Sequence, residues 1–159
     1  MNRSRSGIVL LACGLLAACA EPAAKAPETK GARALVAEAT ARIQTLSAPE
    51  AIKLFGDTSV VFVDLREQAE LEASGEIPGA VHAPRGLLEF YIDSTSAMHM
   101  PVFSSGKRII FYCAGGGRSA LATARALDMG LTNVAHVGGG FRAWRQAGGP
   151  VEPVTAASK

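Results

Sequence analysis

The sequence predicts an α/β domain with a central parallel sheet flanked by helices. Two short, largely apolar runs, residues 60–64 and 107–112, are rich in β-branched or aromatic side chains. Such continuous runs are typical of strands that are buried on both faces of a parallel sheet. An Ala- and Leu-rich helical stretch at 119–129 separates the second run from a weaker third one at 134–137. Strands that alternate with helices in this way indicate a parallel sheet.

The composition limits the protein to a single domain of a few kinds. A chain of 159 residues, 48% of them hydrophobic, is long enough for one core, and this composition excludes wholesale disorder. The formal charge of +2, without a basic stripe, predicts no nucleic-acid partner. Three cysteines are too few for a disulfide-rich scaffold, and the three histidines are isolated, so we expect no metal site.

Residues 1–18 have the features of a bacterial export signal. Two arginines precede an apolar stretch, Gly7 to Ala18, that is too short to cross a bilayer. It ends in Leu-Ala-Ala-Cys, which resembles a lipobox whose cysteine, Cys19, receives a diacylglycerol. We therefore expect a periplasmic protein with a lipid anchor in a bacterial membrane, and Ala20 favours the outer membrane. The alternative is an ordinary cleaved signal in which Cys19 has no role.

The chain after the signal divides into three parts. Residues 19–46 comprise the lipidated cysteine, an Ala- and Pro-rich tether, and a short amphipathic helix expected over 33–46. Packing of this helix on the domain is favoured over binding to a partner. The domain covers 47–153, and a tail follows at 154–159. We expect a monomer.

Local signals mark the helices and loops of the domain. A serine and a glutamate form a capping box at 47–50 that opens a helix to about Phe55. The helix over 119–129 ends before a glycine, which suits a helix C-terminus. A last helix is expected over 141–147, and the polar segment 92–106 is predicted to be a loop.

The loop at residues 113–118 contains the residues that we expect to carry out a reaction. Cys113 directly follows the second strand, and a helix begins near Ser119. Ligand sites of open α/β sheets lie beyond the carboxyl ends of the strands. Successive N–H groups of a glycine run can surround an anion, the helix N-terminus adds positive potential, and Arg118 adds a permanent charge. The residues between the cysteine and the arginine are Ala114, Gly115, Gly116 and Gly117.

These features favour a reactive Cys113 over a structural one. The thiolate is the nucleophilic form of cysteine, and a cation and a helix N-terminus both stabilise it. After removal of the signal and lipidation of Cys19, Cys113 is the only free thiol. The alternative is a buried core cysteine beside a Gly-rich phosphate loop. A core cysteine, however, does not need three glycines and an arginine after it.

Four motifs resemble those of the rhodanese family of sulfurtransferases and occur in the same order. They lie between about Ser47 and Pro153, roughly two thirds of the chain. The motifs are Val63-Asp64-Leu65-Arg66, Ile77-Pro78-Gly79-Ala80, the loop Cys113-Ala114-Gly115-Gly116-Gly117-Arg118, and Gly139-Gly140-Phe141 with Trp144 nearby. One departure is Glu76, which stands where the family frequently has a histidine of structural importance.

The resemblance implies covalent sulfur transfer without a cofactor. The Cys113 thiolate takes sulfur from a small donor, thiosulfate or a persulfide, and passes it to a nucleophilic acceptor such as cyanide or a thiol. The loop residues 114–117, Arg118 and Ser119 are expected to hold the sulfur anions. Asp64 and Arg66 lie at the end of a neighbouring strand. They either contribute to the binding of the sulfur anions or only hold their own turn together.

Two other functions stay open on the sequence. A cysteine phosphatase or arsenate reductase has a related fold, but five residues separate its cysteine from its arginine, whereas four do so here. The second alternative is a persulfide carrier without turnover, or a binding module that keeps the fold. An intact Cys113 and Arg118 argue against a module that has lost its chemistry, but they do not separate a carrier from an enzyme.

Overall fold

A computed structural model of the protein describes residues 29–154. The expected signal peptide, Cys19, most of the tether and residues 155–159 lie outside this range, so the lipid anchor stays a prediction. Within 29–154, no helix is both long enough and apolar enough to cross a membrane.

The predicted parallel sheet is confirmed, and it has five strands. They are β1 (Thr45–Leu46), β2 (Val60–Asp64), β3 (Val81–His82), β4 (Arg108–Tyr112) and β5 (Val134–Val137). Their spatial order is β1-β5-β4-β2-β3, and every neighbouring pair is parallel. Asp64 lies opposite Tyr112, so the carboxyl ends of β2 and β4 meet at one edge. The residues that follow these two strands are therefore close in space.

Helices cover both faces of the sheet. The described part of the chain forms α1 (Ala32–Thr40), α2 (Ala48–Ile52), α3 (Gln68–Ser74), α4 (Leu88–Ile92), α5 (Gly117–Asp128) and α6 (Gly140–Gln146). Two 3₁₀ turns, Arg85–Leu87 and Pro101–Ser104, connect them.

The sheet separates two hydrophobic cores. Ile109 and Phe111 of β4 enter the core that contains residues of α4 and α5. Ile110 and Tyr112 enter the other core, which contains residues of α2 and α6 and the fully buried Trp144. Side chains alternate between the two faces of a strand, so a strand covered on both sides needs apolar residues at every position. This requirement explains the continuous apolar runs.

The helix predicted over 33–46 is wrong at its C-terminal end. Helix α1 stops at Thr40, and Thr45 and Leu46 pair with β5 as an edge strand. Pairing satisfies backbone groups, since the Gly138 N–H donates to the Leu46 carbonyl at 2.8 Å, and it buries the Leu46 side chain. The sheet thus begins before residue 47. The preceding helix does pack on α5.

Other boundaries differ by a few residues. The capping box at Ser47 is present, but α2 ends at Ile52 instead of Phe55. The segment predicted as a loop, 92–106, includes the 3₁₀ turn that buries Phe103. Helices α3 and α4 were not predicted. Helix α3 is capped by a glutamate, which is outside the group of Ser, Thr, Asp and Asn that usually marks a helix start.

A buried ion pair connects the end of β2 to α3. The Arg66 Nε donates to the two Asp64 carboxylate oxygens at 2.9 and 3.0 Å. Its Nη1 donates to the Ser74 hydroxyl and its Nη2 to the Gly75 carbonyl, both at 2.8 Å. The two charged side chains are 2% or less exposed. The pair therefore holds the turn after β2 against the C-terminus of α3.

The substitution Arg66→Ala is expected to lower the free energy of unfolding by about 3–5 kcal/mol, because it leaves the Asp64 carboxylate buried without its partner. The measurement is urea unfolding at neutral pH. Arg85→Ala is the control, since it removes a half-exposed pair with Glu89 that should contribute less than about 1 kcal/mol. Equal losses in the two variants would show that the buried pair does not hold the turn.

Candidate active site

The loop 113–118 lies at the carboxyl edge of the sheet, between β4 and α5. Gly116 is the N-cap of α5, with a φ of +94°, in the left-handed region that favours glycine. A Cβ atom at this position would also lie 3.0 Å from the Gly139 nitrogen. The glycine run therefore contains a position where both the backbone angle and the available space require glycine.

The Cys113 sulfur is enclosed by this loop. The residue is 1% exposed, and the Gly116 N–H donates to Sγ at 3.2 Å. The Ser119 hydroxyl oxygen lies 3.7 Å from Sγ, and its proton is positioned to donate to the Gly116 carbonyl at 3.0 Å. One backbone N–H therefore donates to the sulfur, and the Ser119 oxygen is placed to accept from the thiol.

The loop backbone is held by the first turn of α6. The Phe141 N–H donates to the Cys113 carbonyl at 2.7 Å, and the Arg142 N–H donates to the Ala114 carbonyl at 3.1 Å. Gly140 has a φ of +62°, and a Cβ atom there would overlap the Cys113 carbonyl oxygen. The glycines of the Gly-Gly-Phe motif thus allow two backbones to approach directly, a role that the sequence pattern alone did not reveal.

Arg118 is paired, whereas the sequence analysis expected its charge and forked donor to be free for the loop. Its Nη1 and Nη2 each donate to one carboxylate oxygen of Glu70 at 2.7 Å. This fork lowers the pKa of Glu70 to about 2. Glu70 lies on α3, which the sequence analysis did not predict, so its role was missed. Within residues 29–154, two of the five N–H groups of Arg118 are thus bound to Glu70, and none is bound to Cys113 or the loop carbonyls.

Asp64 and Arg66 contact each other and the turn. Within residues 29–154, neither side chain forms a hydrogen bond to the loop. The guanidinium carbon of Arg66 lies 4.0 Å from the centre of the Phe141 ring, so it supports the residue whose N–H binds Cys113. These contacts agree with the alternative in which the two residues only hold their own turn together. Arg66 is connected to the loop through its contact with Phe141 of α6.

His136 belongs to the surroundings of Cys113, although no motif marks it. It lies on β5, is buried, and its Nδ1 is 3.1 Å from the Ser119 hydroxyl oxygen. Its Nε2 is 2.9 Å from the Thr45 hydroxyl oxygen on β1. Burial lowers the pKa of His136, so the ring is neutral at pH 7. A chain of side-chain contacts therefore connects the Cys113 sulfur, through Ser119 and His136, to Thr45 on the edge strand β1.

A groove of about 580 Å³ opens beside the loop. Ala114 of the loop, Ala73 of α3 and Phe141 contribute apolar atoms to its lining. Arg142 and Arg145 of α6 lie along the same groove. The candidate site therefore combines a buried sulfur nucleophile with a neighbouring cationic cleft.

The substitution His136→Asn is expected to weaken the pH dependence of stability in mildly acidic solution. An unfolded histidine binds a proton near pH 6.5, whereas the native His136 has a lowered pKa. The unfolded state therefore binds more protons below about pH 6.5, and stability falls as the pH falls. Urea midpoints at about pH 7 and pH 5.5 measure this difference. A wild-type difference that is unchanged in His136→Asn would contradict the prediction.

The substitution Gly140→Ala is expected to abolish the reactivity of Cys113, because the new methyl group displaces the Cys113 carbonyl. Gly106→Ala is the matched control: its φ of +72° is similar, but no atom lies within 4 Å of the added methyl group. It should cost about 1–2 kcal/mol of stability and leave the thiol reactive. Alkylation of Cys113 by iodoacetamide, followed together with urea unfolding, measures both effects. If Gly140→Ala and Gly106→Ala show the same alkylation of Cys113 and the same loss of stability, the close approach of the Gly140 and Cys113 backbones is not required for reactivity.

A family model and several curated relatives match this chain. The model, described as Rhodanese-like domain, matches residues 47–147. Human thiosulfate:glutathione sulfurtransferase is 30% identical over 106 residues, which cover 63% of this chain and 91% of that protein. The tRNA uridine(34) hydroxylase of Yersinia enterocolitica is 34% identical over 96 residues, 60% of this chain. The match spans only 27% of that hydroxylase.

Solved structures show the same fold. A Rhodopseudomonas palustris protein of unknown function, described as a possible tyrosine phosphatase, is 50% identical with a TM-score of 0.76. The match covers 80% of this chain and 99% of that one. The family match includes the complete Cys113 loop and every strand of the sheet except β1. This chain therefore belongs to the rhodanese-like domain family.

Proposed function

We propose that the protein is a sulfurtransferase that carries sulfur as a persulfide on Cys113. The observation that carries the proposal is the enclosed Sγ, with the Gly116 N–H at 3.2 Å and the Ser119 hydroxyl oxygen at 3.7 Å. A donor fixed in the way of the Gly116 N–H stabilises negative charge on sulfur without reorganisation. The similarity to a human thiosulfate:glutathione sulfurtransferase supports the same chemistry.

The reaction has two steps. The Cys113 thiolate attacks the outer sulfur of thiosulfate, the S–S bond of the donor breaks, and sulfite leaves with the electron pair. The product is a Cys113 persulfide whose terminal sulfur carries the negative charge. A nucleophilic acceptor then attacks that terminal sulfur, and the electron pair of the broken S–S bond returns to Cys113. Sulfur moves without a proton or an outside oxidant.

Phosphatase chemistry is the second candidate, because the 50% identical Rhodopseudomonas palustris protein is described as a possible tyrosine phosphatase. A phosphatase loop needs its arginine fork for the phosphate oxygens. Here that fork is engaged by Glu70, and only four residues separate Cys113 from Arg118. The Glu70 contact competes with either anion, so the four-residue spacing is the observation that favours sulfur transfer over phosphatase chemistry.

Incubation of the full chain with thiosulfate is expected to add the mass of one sulfur atom, which cyanide then removes. Intact mass spectrometry measures both changes. The double variant Cys13→Ser/Cys19→Ser, with Cys113 as the only cysteine, should load like the wild type, whereas Cys113→Ser should not load. Repeated turnover with thiosulfate and cyanide would identify an enzyme, and a single discharge would identify the carrier alternative.

The same preparations test the phosphatase alternative with p-nitrophenyl phosphate. Failure of the folded, reduced protein to take up sulfur would overturn the proposal. Phosphate release that is lost in Cys113→Ser would then support the second candidate.

A further inference from the structure

We propose that His136 is a positioning residue for sulfur transfer: its Nδ1–H holds the Ser119 oxygen, so that the hydroxyl proton can turn from the Gly116 carbonyl to a negatively charged sulfur. Within residues 29–154, His136 forms no hydrogen bond to Cys113, so it acts through Ser119. The inference rests on the proposed sulfur transfer, because it assigns a residue that helps to stabilise the sulfur anion.

The first observation is a polar ring buried beside the site. His136 lies on β5, and the other three residues of this strand are apolar and buried. A polar ring in such a place destabilises the fold unless its nitrogens form hydrogen bonds. One of these bonds involves Ser119, whose hydroxyl oxygen lies 3.1 Å from Nδ1 and 3.7 Å from the Cys113 Sγ. A single hydroxyl group therefore separates the histidine from the nucleophile.

The second observation identifies the nitrogen that carries the ring proton. The Ser119 hydroxyl has one proton, and its oxygen is 3.0 Å from the Gly116 carbonyl oxygen and 3.1 Å from the His136 Nδ1. A carbonyl only accepts, so both contacts are hydrogen bonds only if Nδ1 donates to the Ser119 oxygen. Burial lowers the pKa of His136, so the ring is neutral at pH 7 and its Nε2 has no proton.

The remaining contacts agree with this assignment. The Thr45 hydroxyl oxygen is 2.9 Å from Nε2 of His136, and its proton can donate to that nitrogen. At the other end, the Ser119 oxygen accepts from Nδ1–H and from the Cys113 thiol, while its own proton is donated to the Gly116 carbonyl. Each donor and acceptor in this chain of contacts therefore has a partner while Cys113 is a thiol.

The thiolate and the persulfide change the demand on Ser119. Neither form has a sulfur proton for the Ser119 oxygen to accept, so a lone pair of that oxygen faces a negative charge. Turning the hydroxyl proton toward the sulfur removes this repulsion. The Gly116 carbonyl keeps a donor, because the Ala120 N–H donates to it at 2.9 Å. An unprotonated Nδ1 on His136 would instead compete with the sulfur for the hydroxyl proton.

The first test measures which ring nitrogen of His136 carries the proton, by heteronuclear NMR of the full chain at neutral pH. We expect the proton on Nδ1 in both the reduced and the sulfur-loaded protein. A proton on Nε2 in either form would overturn the inference. This measurement uses the wild-type protein, so it stands even where a substitution prevents folding.

The second test measures the rate at which thiosulfate loads sulfur onto Cys113, by intact mass spectrometry. His136→Leu should slow loading roughly tenfold, because the hydroxyl is no longer held for its hydrogen bond to a charged sulfur. His136→Asn should stay within about threefold of the wild type, because its amide N–H can replace Nδ1–H. Urea unfolding verifies that each variant is folded.

His99→Leu is the matched control for His136→Leu. The His99 ring also contacts a serine hydroxyl, with its Nε2 2.8 Å from the Ser104 oxygen. Within residues 29–154 it forms no hydrogen bond to the loop 113–118. The same substitution at this position should therefore leave the loading rate within about twofold of the wild type. An equal loss of rate in the two leucine variants would contradict the role of His136.

A double-mutant cycle separates positioning from a general structural role. Ser119→Ala alone should also slow loading roughly tenfold. Because His136 acts through this hydroxyl, Ser119→Ala/His136→Leu should be within about twofold of Ser119→Ala. Independent losses would instead multiply to about a hundredfold. That outcome, or a rate in His136→Asn as slow as in His136→Leu, would overturn the positioning role.

Failure of this inference is distinguishable from failure of the proposed function. If the wild type takes up no sulfur from thiosulfate, the sulfurtransferase proposal fails. If the wild type loads sulfur on Cys113, but His136→Leu loads it equally fast, only the role of His136 is overturned.

Discussion

The hydrogen bond from the Phe141 N–H to the Cys113 carbonyl is the contact on which the site depends. It joins the end of β4 to the first turn of α6 without an intervening side chain, because Gly140 leaves room for the two backbones. This contact holds the Cys113 backbone, and the Gly116 N–H donates to its sulfur within the loop. The same contact places the arginines of α6 beside the loop, so the nucleophile and the cationic groove share one anchor.

Charge in this region is divided between compensated and uncompensated groups. Asp64 and Glu70 engage the two arginines nearest the turn and the loop, one pair fully buried and the other half-exposed. These pairs hold β2, α3 and α5 together and leave little net charge at the sulfur. The donor aimed at the sulfur is a dipole, the Gly116 N–H, whereas the Ser119 hydroxyl donates to the Gly116 carbonyl. Arg142 and Arg145 of α6 are exposed, and neither has an ion-pair partner within residues 29–154.

Local patterns in the sequence were sufficient for three of the five strands, β2, β4 and β5, and for the position of the Cys113 loop. Strands β2 and β4 are continuous apolar runs, and Cys113 with its glycines follows one of them directly. Features that depend on distant contacts were not visible. Strand β1 is only two residues long, and its pairing with β5 overrides the helical spacing of the residues before it.

The partners of the site residues were hidden for the same reason. Glu70 meets Arg118 across 48 positions of sequence, and His136 meets Ser119 across 17 positions. Asp64 and Arg66 were recognised as candidates, but only the folded structure shows that they bind each other and the start of the next loop. Spacing along the chain does not report which charged side chains neutralise each other.

The edge strand β1 determines where a truncated form of this domain should begin. The family match begins at residue 47, immediately after Thr45 and Leu46. A fragment that begins at that boundary would leave the backbone of β5 as an open sheet edge, which is a template for pairing with another copy and for aggregation. It would also remove the hydroxyl that binds the His136 ring. Self-association or altered thiol reactivity of such a fragment would reflect the truncation and not the native protein.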